Sequence, residues 1–110
     1  KTNKDYWKFN LLSSEKQIGI ERPIQYCIYK KGSFFKLHRD NQYDRMISIS
    51  VQLTDSKEYK GGQVHFPPGP FTANQERGSV TIFPSDTKHQ VTPLVEGVRE
   101  SLVWWVCGNK

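Results

Sequence analysis

The chain has 110 residues, with 16 Lys and Arg against 11 Asp and Glu, and its formal net charge is +5. This length suits one domain with a hydrophobic core, so we expect residues 1–110 to form a single domain. The sequence begins at Lys1 without an initiator Met, which is compatible with a trimmed or a mature catalytic core. No long apolar run is present, which excludes a transmembrane helix or a signal peptide within these residues. The modest positive charge favours acidic partners without identifying them.

The two cysteines give no sign of a metal ribbon or a redox dithiol. Cys27 and Cys107 are 80 positions apart and form no CxxC pair. We therefore expect two buried free thiols and a cytoplasmic location, where thiols stay reduced.

The first half of the chain carries mostly strand signals. We expect one short helical turn over residues 13–16, a strand over 24–29, and a turn at Lys31-Gly32-Ser33 before a short strand over 34–38. Residues 46–53 alternate strictly between apolar and polar side chains. This period of two predicts a strand with an aliphatic face and a polar face that contains Ser48, Ser50 and Gln52.

The second half continues the pattern with shorter strands. Residues 55–59 are expected to form a loop, and Gly61-Gly62 supplies a bend into a strand over 63–66. The prolines of residues 67–77 predict an exposed loop. Strands over 79–83, 90–92 and 98–106 bring the total to seven or eight, which indicates an all-β sandwich or barrel.

Three residues have the chemistry of a mononuclear metal site. His38 and Asp40 are two positions apart, so a strand running through both would direct them to one face, and His89 follows 51 positions later. Two histidines and one carboxylate leave octahedral positions open, as in non-haem Fe(II) oxygenases. Arg99, ten positions after His89, is suited to bind a carboxylate through its planar fork.

This motif resembles that of the Fe(II)/2-oxoglutarate dioxygenases, in particular the prolyl 4-hydroxylase-like branch. Flanking segments also match, including Gly61-Gly62, residues 77–84 before His89, and Gly97-x-Arg99-x-Ser101. The resemblance covers residues 24–108 and implies a double-stranded β-helix, a jelly-roll or cupin-like fold with little helix near the N-terminus. It also implies Fe(II), 2-oxoglutarate as cosubstrate, O2, and ascorbate as a stimulatory reductant.

The resemblance further implies roles for individual residues. His38, Asp40 and His89 would hold iron and form the catalytic centre, while Arg99 would bind the distal carboxylate of 2-oxoglutarate with Ser101 as an added donor. Other candidate cosubstrate contacts are Tyr29, with Tyr26 as an alternative, Gln52, and Trp105, for which core packing is an equal alternative. His65 is expected to be hydrogen-bonded and not a ligand.

The implied reaction is hydroxylation of an unactivated C–H bond with release of succinate and CO2, on a prolyl residue of a peptide or protein. The alternatives are an oxidative nucleic-acid demethylase, a small-molecule hydroxylase, and a non-catalytic cupin-like metal-binding module. A nucleic-acid partner is disfavoured because no Asn-x-Asn run lies near the distal motif, and no membrane partner is expected. Lys30, Lys31, Lys36 and Arg39 cluster near the first ligand segment, and they predict a preference for acidic substrates. Residues 41–45 and 67–77 are expected to flank the pocket.

Overall fold

The structure is a computed structural model, and it describes residues 19–20, 24–42 and 44–108. Within these residues the regular structure consists of ten strands and one short 3-10 turn at Ser56–Glu58. The strands are Gly19–Ile20 (β1), Gln25–Tyr29 (β2), Phe35–His38 (β3), Arg45–Gln52 (β4), Tyr59–Gly61 (β5), Val64–His65 (β6), Val80–Pro84 (β7), His89–Val91 (β8), Leu94–Gly97 (β9) and Arg99–Cys107 (β10). The all-β prediction is confirmed. The helical turn predicted at residues 13–16 lies outside the described residues.

The strands form a large sheet, a three-stranded sheet and a two-stranded ribbon, all with antiparallel pairing. In the large sheet, β10 pairs with β4 on one side and with β1 and β2 on the other, and β7 continues beyond β4. The second sheet has the order β3-β8-β6, and the ribbon joins β5 to β9. Residues of both sheets line one cavity, so the two sheets face each other. None of the helical segments in the described ranges has the length and apolar character required to cross a bilayer.

Strand β4 shows the alternation that the sequence predicts. Ser48 and Ser50 line the cavity between the sheets. Ile49 pairs with Trp104 and Ile82 in register and belongs to the opposite face. The polar face of this strand therefore points into the molecule, because the interior is a cavity that needs hydrogen-bonding groups.

The ribbon of β5 and β9 differs from the prediction. Residues 55–59 were expected to be a loop, but they contain the 3-10 turn, capped by the Asp55 carboxylate that accepts from the Lys57 N–H at 2.9 Å. Residues 55–59 also contain Tyr59, the first residue of β5. Strand β9 has no counterpart among the predicted strands. Both strands are short and rich in exposed side chains, such as the Lys60–Glu96 ion pair at 3.7 Å. Their strand conformation comes from mutual pairing and leaves no period in the sequence.

Glycines allow the close approach of these two strands. Gly97 has a φ of 85°, and a Cβ there would collide with the Glu58 carbonyl oxygen and the Cα of Tyr59. Gly32 has a φ of 87°, but a Cβ there would have no neighbour within 4 Å. The two positions share a backbone conformation and differ in the space available.

We expect Gly97→Ala to lower the free energy of unfolding more than Gly32→Ala does. The Gly32 variant should lose about 1–2 kcal/mol, the cost of placing an L-residue in the left-handed region. The Gly97 variant should lose that amount and the additional cost of displacing β5. Urea denaturation followed by far-ultraviolet circular dichroism measures both, and equal losses would show that the ribbon tolerates a side chain at this contact.

Candidate metal centre and cavity

Antiparallel pairing brings the two histidines together. His38 is the last residue of β3 and His89 is the first residue of β8, and these two residues are register partners. Asp40 lies two positions beyond the end of β3. One ligand atom from each of the three residues lies within 4.8 Å of the others. The structure thus assembles the three residues that the sequence predicts as a metal site.

The strand predicted over residues 34–38 is confirmed as β3, which ends at His38, so Asp40 lies in the segment after the strand. The pairing of β3 with β8 is irregular between Phe35 and His38. The Asp40 N–H donates to the Ser85 carbonyl oxygen at 2.8 Å. From this segment the Asp40 carboxylate lies close to both histidines.

Hydrogen bonds fix which nitrogen of each histidine faces Asp40. The His38 Nδ1 lies 2.6 Å from the Lys36 carbonyl oxygen, and the His89 Nδ1 lies 2.9 Å from the Thr87 carbonyl oxygen. A carbonyl oxygen only accepts, so each Nδ1 carries a hydrogen. The lone pair of a neutral ring is then on Nε2, the atom that lies 3.2 Å (His38) or 3.3 Å (His89) from a carboxylate oxygen of Asp40. Metal-binding histidines are commonly oriented in this way.

The surroundings of Asp40 keep its carboxylate ionised. Burial by itself would raise the pKa of Asp40, but two hydrogen bonds lower this pKa from 3.8 to about 2. One comes from His89 Nε2 when that ring is protonated, and the other comes from the Ser48 hydroxyl. For His89, burial favours the neutral ring, whereas the bonds to Asp40 and the Thr87 carbonyl raise its pKa. The site therefore offers a charged oxygen ligand between two imidazole rings.

The donor set fits a divalent non-haem iron ion. Two imidazole nitrogens and one carboxylate oxygen form the ligand set of mononuclear Fe(II) oxygenases. The Trp105 indole N–H is buried beside this site, and none of the described residues accepts a hydrogen bond from it. It is close enough to Asp40 to lower the pKa of that carboxyl group. A buried donor of this kind is suited to an oxygen atom bound at or next to the site.

His65 is not part of the metal centre. Its Nε2 lies 2.7 Å from the Gly69 carbonyl oxygen, and the Gln90 amide nitrogen lies 2.9 Å from its Nδ1. The carbonyl accepts from Nε2–H and the amide donates to Nδ1, so both ring nitrogens are used. The prediction that His65 is a hydrogen-bonded histidine is confirmed.

A second polar group, Arg99, lines the same cavity at the opposite end of strand β10 from Trp105. Its side chain is buried, with 3% exposed, and its guanidinium lies 5.3 Å from the centre of the Tyr29 ring. Among the described residues, no carboxylate is within ion-pair distance of Arg99. A buried cation without a protein anion is costly, so this position favours an anionic ligand.

A buried network holds the Arg99 side chain from behind. The Arg99 Nε donates to the Gln52 Oε1 at 3.1 Å, and the Gln52 amide nitrogen donates to the Tyr59 hydroxyl at 2.7 Å and the Thr54 carbonyl at 3.1 Å. Gln52 is thus placed to orient Arg99, while its direct contact with a cosubstrate stays a prediction. Sequence reasoning missed Tyr59, because a lone tyrosine in a polar stretch has no pattern that marks it as buried.

The main cavity has a volume of about 240 Å³ and lies between the two sheets. It is lined by the three triad residues and by Tyr29, Arg99, Ser101 and Trp105. Tyr26 is 56% exposed on the other face of β2, where its hydroxyl donates to Glu100. Of the two tyrosines considered, only Tyr29 is therefore positioned to contact a ligand in the cavity.

The two predicted flanking loops differ in position. In the first of them, residues 41–45, Gln42 and the first residue of β4, Arg45, line the main cavity. Residues 67–77 do not line the main cavity, but Ala73, Asn74 and Gln75 line a smaller cavity of about 10 Å³ that shares Ser50, Val64 and Arg99 with it. This loop folds back on β6, because Phe66 N–H donates to the Phe71 carbonyl at 3.0 Å and Ala73 N–H donates to the Val64 carbonyl at 2.9 Å.

The basic cluster near the first ligand is also only partly at the cavity. Lys30, Lys31 and Lys36 are exposed and do not line it, whereas Arg39 does. Arg45 and Cys27 line the cavity, although neither was predicted as a site residue. Cys27 and Cys107 form no disulfide within the described part of the chain, and both are half-buried. The positively charged side chains that line the cavity are therefore arginines, and not the lysines that the sequence suggested.

Comparison with known proteins identifies the family. The sequence matches the 2OG-Fe(II) oxygenase superfamily over residues 24–107. A PKHD-type hydroxylase of Parvibaculum lavamentivorans strain DS-1 is 31% identical over 84 residues, which cover 71% of this chain and 38% of that protein. The chain belongs to the 2OG-Fe(II) oxygenase superfamily.

Solved structures agree on the fold. A prolyl-4-hydroxylase of Pseudomonas putida has a TM-score of 0.64 at 24% identity, with 76% of this chain and 51% of that chain covered. A cupin domain of Bordetella pertussis Tohama I has a TM-score of 0.56 at 16% identity, with 83% and 90% covered. The predicted double-stranded β-helix is confirmed. The chain spans 38% of the Parvibaculum relative and about half of the Pseudomonas chain.

We expect His38→Ala, Asp40→Ala and His89→Ala each to weaken binding of Fe(II) by at least about tenfold, because each removes one of three ligands. His65→Ala is the matched control and should bind iron as the unaltered protein does. Anaerobic calorimetric titration with Fe(II) measures the affinity, and circular dichroism verifies the fold. Unchanged iron affinity in the His89 variant would contradict the metal centre.

We expect Tyr59→Phe to weaken 2-oxoglutarate binding about three- to tenfold without changing iron affinity, since losing a neutral hydrogen bond costs about 0.5–1.5 kcal/mol and leaves Gln52 less constrained. Gln52→Glu should keep a strong hydrogen bond to Arg99, but its carboxylate would neutralise the charge of the guanidinium. This variant should therefore bind 2-oxoglutarate more weakly than Tyr59→Phe does. Fluorescence titration with 2-oxoglutarate in the presence of Mn(II) measures both. Tighter binding by the Gln52 variant would show that Arg99 does not hold the cosubstrate.

Proposed function

We propose that this chain is the catalytic domain of an Fe(II)- and 2-oxoglutarate-dependent dioxygenase that hydroxylates a prolyl residue of a peptide or protein. The observation that carries the proposal is that a His-Asp-His triad shares one cavity with the buried Arg99, which has no carboxylate among the described residues within ion-pair distance. One group is suited to a metal ion and the other to a carboxylate. A chelating keto acid with a distal carboxylate would use both.

In this proposal His38, Asp40 and His89 hold the iron through the atoms that the hydrogen bonds direct into the cavity. Iron and 2-oxoglutarate, when bound, supply oxidation by O2 with succinate and CO2 as co-products. The Arg99 guanidinium binds the distal carboxylate of the cosubstrate, and its position is set by Gln52.

The remaining wall residues position the cosubstrate and restrict water. Tyr29 faces Arg99 in register across β2 and β10, so its ring covers the guanidinium. Ser101 is fully buried on the same face and offers a hydroxyl next to Arg99. Trp105 closes the metal side with its indole. A shielded cavity strengthens each of these charge-based contacts.

One similarity supports a prolyl substrate and another supports hydroxylation. The Pseudomonas putida protein is a prolyl-4-hydroxylase, and the Parvibaculum protein is a PKHD-type hydroxylase. Oxidation of a methylated base or of a free amino acid is the alternative that the substrate panel tests.

We expect the protein, supplied with Fe(II), 2-oxoglutarate and O2, to release succinate and to add one oxygen to a proline peptide. Arg99→Leu should raise the KM for 2-oxoglutarate about ten- to a hundredfold, because a charge-assisted contact is worth roughly 1.5–3 kcal/mol. Arg77→Leu, which removes an exposed arginine paired with Glu58, is the matched control. Succinate is measured by chromatography and oxygen addition by mass spectrometry.

Two outcomes would contradict parts of the proposal. No succinate release under any condition would favour a metal-binding module over an enzyme. Succinate release with oxidation of a methylated oligonucleotide or a free amino acid, and of no proline peptide, would overturn the prolyl substrate while leaving the cosubstrate chemistry in place.

A further inference from the structure

Cys27 places a thiol in the wall of the main cavity, where the proposed reaction gives it no role. It belongs to β2, and Ser101 of β10 is its register partner. Both residues line the cavity, and the next cavity-lining pair along the same two strands is Tyr29 with Arg99. Because side chains two positions apart in a strand share a face, the Cys27 thiol is on the same side of the sheet as the Arg99 side chain.

The Cys27 thiol is within reach of a ligand that Arg99 holds. Diagonal neighbours on paired antiparallel strands lie about 7–8 Å apart, and a long side chain spans much of that distance. Cys27 and Arg99 are such neighbours, since the partner of Cys27 lies two positions from Arg99. A small molecule bound to the guanidinium therefore extends toward the sulfur.

Arg99 makes this part of the cavity suited to a carboxylate. Its side chain is buried, and its Nε donates to the neutral Gln52 side chain at 3.1 Å. Among the described residues, no carboxylate lies within ion-pair distance of Arg99, and a buried cation in this state favours an anionic ligand. Cys27 is thus a thiol beside a carboxylate site, and the burial and charge of Arg99 define that site independently of the cysteine.

The thiol by itself is a slow nucleophile. Burial raises the pKa of Cys27, while a hydrogen bond with Ser101 and the positive charge of Arg99 each offset part of this rise. The reactive form is the thiolate, and a raised pKa leaves little of it at neutral pH. A reagent from bulk solution should therefore react slowly with Cys27, whereas a reagent held next to the sulfur has a high effective concentration.

We propose that Cys27 is a site of covalent modification by small α,β-unsaturated carboxylic acids, which Arg99 holds by one carboxylate. The sulfur forms a bond to one carbon of the C=C double bond, which becomes a single bond. The thiol proton is released to solvent and a proton from solvent is added to the neighbouring carbon, so no further reactant is needed. With C–C bonds of about 1.5 Å, the double bond lies close to the bound carboxylate.

The adduct occupies the place that the cosubstrate would take. Its carboxylate remains next to Arg99, so 2-oxoglutarate can no longer bind there. Bound 2-oxoglutarate in turn keeps an unsaturated acid away from the thiol. This modification site rests on the proposed function, since it depends on carboxylate binding by Arg99.

The probe is fumarate, a small unsaturated diacid, and its uncharged diamide, fumaramide, is the matched control. The protein is incubated anaerobically with each compound, and peptide mass spectrometry follows the adducts at Cys27 and Cys107. Cys107 is also half-buried but does not line the cavity, so it is the internal reference. We expect fumarate to modify Cys27 at least about tenfold faster than Cys107, because a charge-assisted contact holds it there, and fumaramide to show no such preference.

Competition and variants assign that preference to the carboxylate site. 2-Oxoglutarate with Mn(II) should slow the modification of Cys27 at least about tenfold and leave that of Cys107 unchanged. Arg99→Leu should remove the preference, whereas Arg77→Leu, which removes an exposed arginine, should retain it. Incubation with fumarate should lower the 2-oxoglutarate affinity of the unaltered protein but not that of Cys27→Ser. Circular dichroism verifies the fold of each variant.

Each outcome supports or overturns the modification site. No adduct at Cys27, equal rates at the two cysteines, an undiminished rate with 2-oxoglutarate present, or a preference that persists in Arg99→Leu would overturn it. Binding of 2-oxoglutarate by the unmodified protein is measured separately by fluorescence titration with Mn(II). Normal binding without an adduct would overturn the modification site alone, whereas absence of 2-oxoglutarate binding would overturn the proposed function.

Discussion

The hydrogen bond from Ser48 to Asp40 connects the two sheets at the metal centre. Ser48 belongs to β4 of the large sheet, whereas Asp40 follows β3 of the smaller one, and their 2.7 Å contact is buried. A buried carboxylate is stable only when its oxygens are hydrogen-bonded or bound to a cation. Ser48 satisfies one oxygen from the far sheet, and Ser85, 3.1 Å from Ser48, supports it. The position of the carboxylate therefore depends on both sheets being assembled.

The same requirement explains the polar interior of the large sheet. Ser48, Ser50, Arg99 and Ser101 face the cavity, where a purely apolar lining would leave the metal ligands and the ligand charges unsatisfied. Aliphatic side chains occupy the outer face, and several of them, such as Val80 and Ile82, remain about half exposed. The cavity face of this sheet therefore combines polar side chains with buried aromatic ones such as Phe83 and Trp105.

Two cavity arginines lie at different places along β10. Arg99 is held by Gln52 and Tyr59 at the end of β10 away from Trp105, whereas Arg45 is stacked on Trp105. The Arg99 guanidinium is oriented by the side-chain amide of Gln52, which is a neutral partner. A neutral partner fixes the direction of this cation without balancing its charge, which suits the proposed binding of a carboxylate.

The sequence by itself determined the chemical content of the site and the local direction of its strands. The spacing of His38, Asp40, His89 and Arg99 indicated the metal ligands and the carboxylate-binding residue, and the period of two in β4 and β10 indicated which side chains share a face. These are local properties, because side-chain direction in a strand depends only on the alternation of the backbone. The family resemblance added the fold and the cosubstrate.

Only the tertiary structure decided which residues meet. It brought the Asp40 carboxylate to both histidines, placed Tyr29 and not Tyr26 at the cavity, and connected Tyr59 to Arg99 through Gln52. It also brought Arg45 onto Trp105 from a position 60 residues away. Such contacts depend on strand pairing between distant segments, and the pairing is set by the packing of the whole domain, which no local period records.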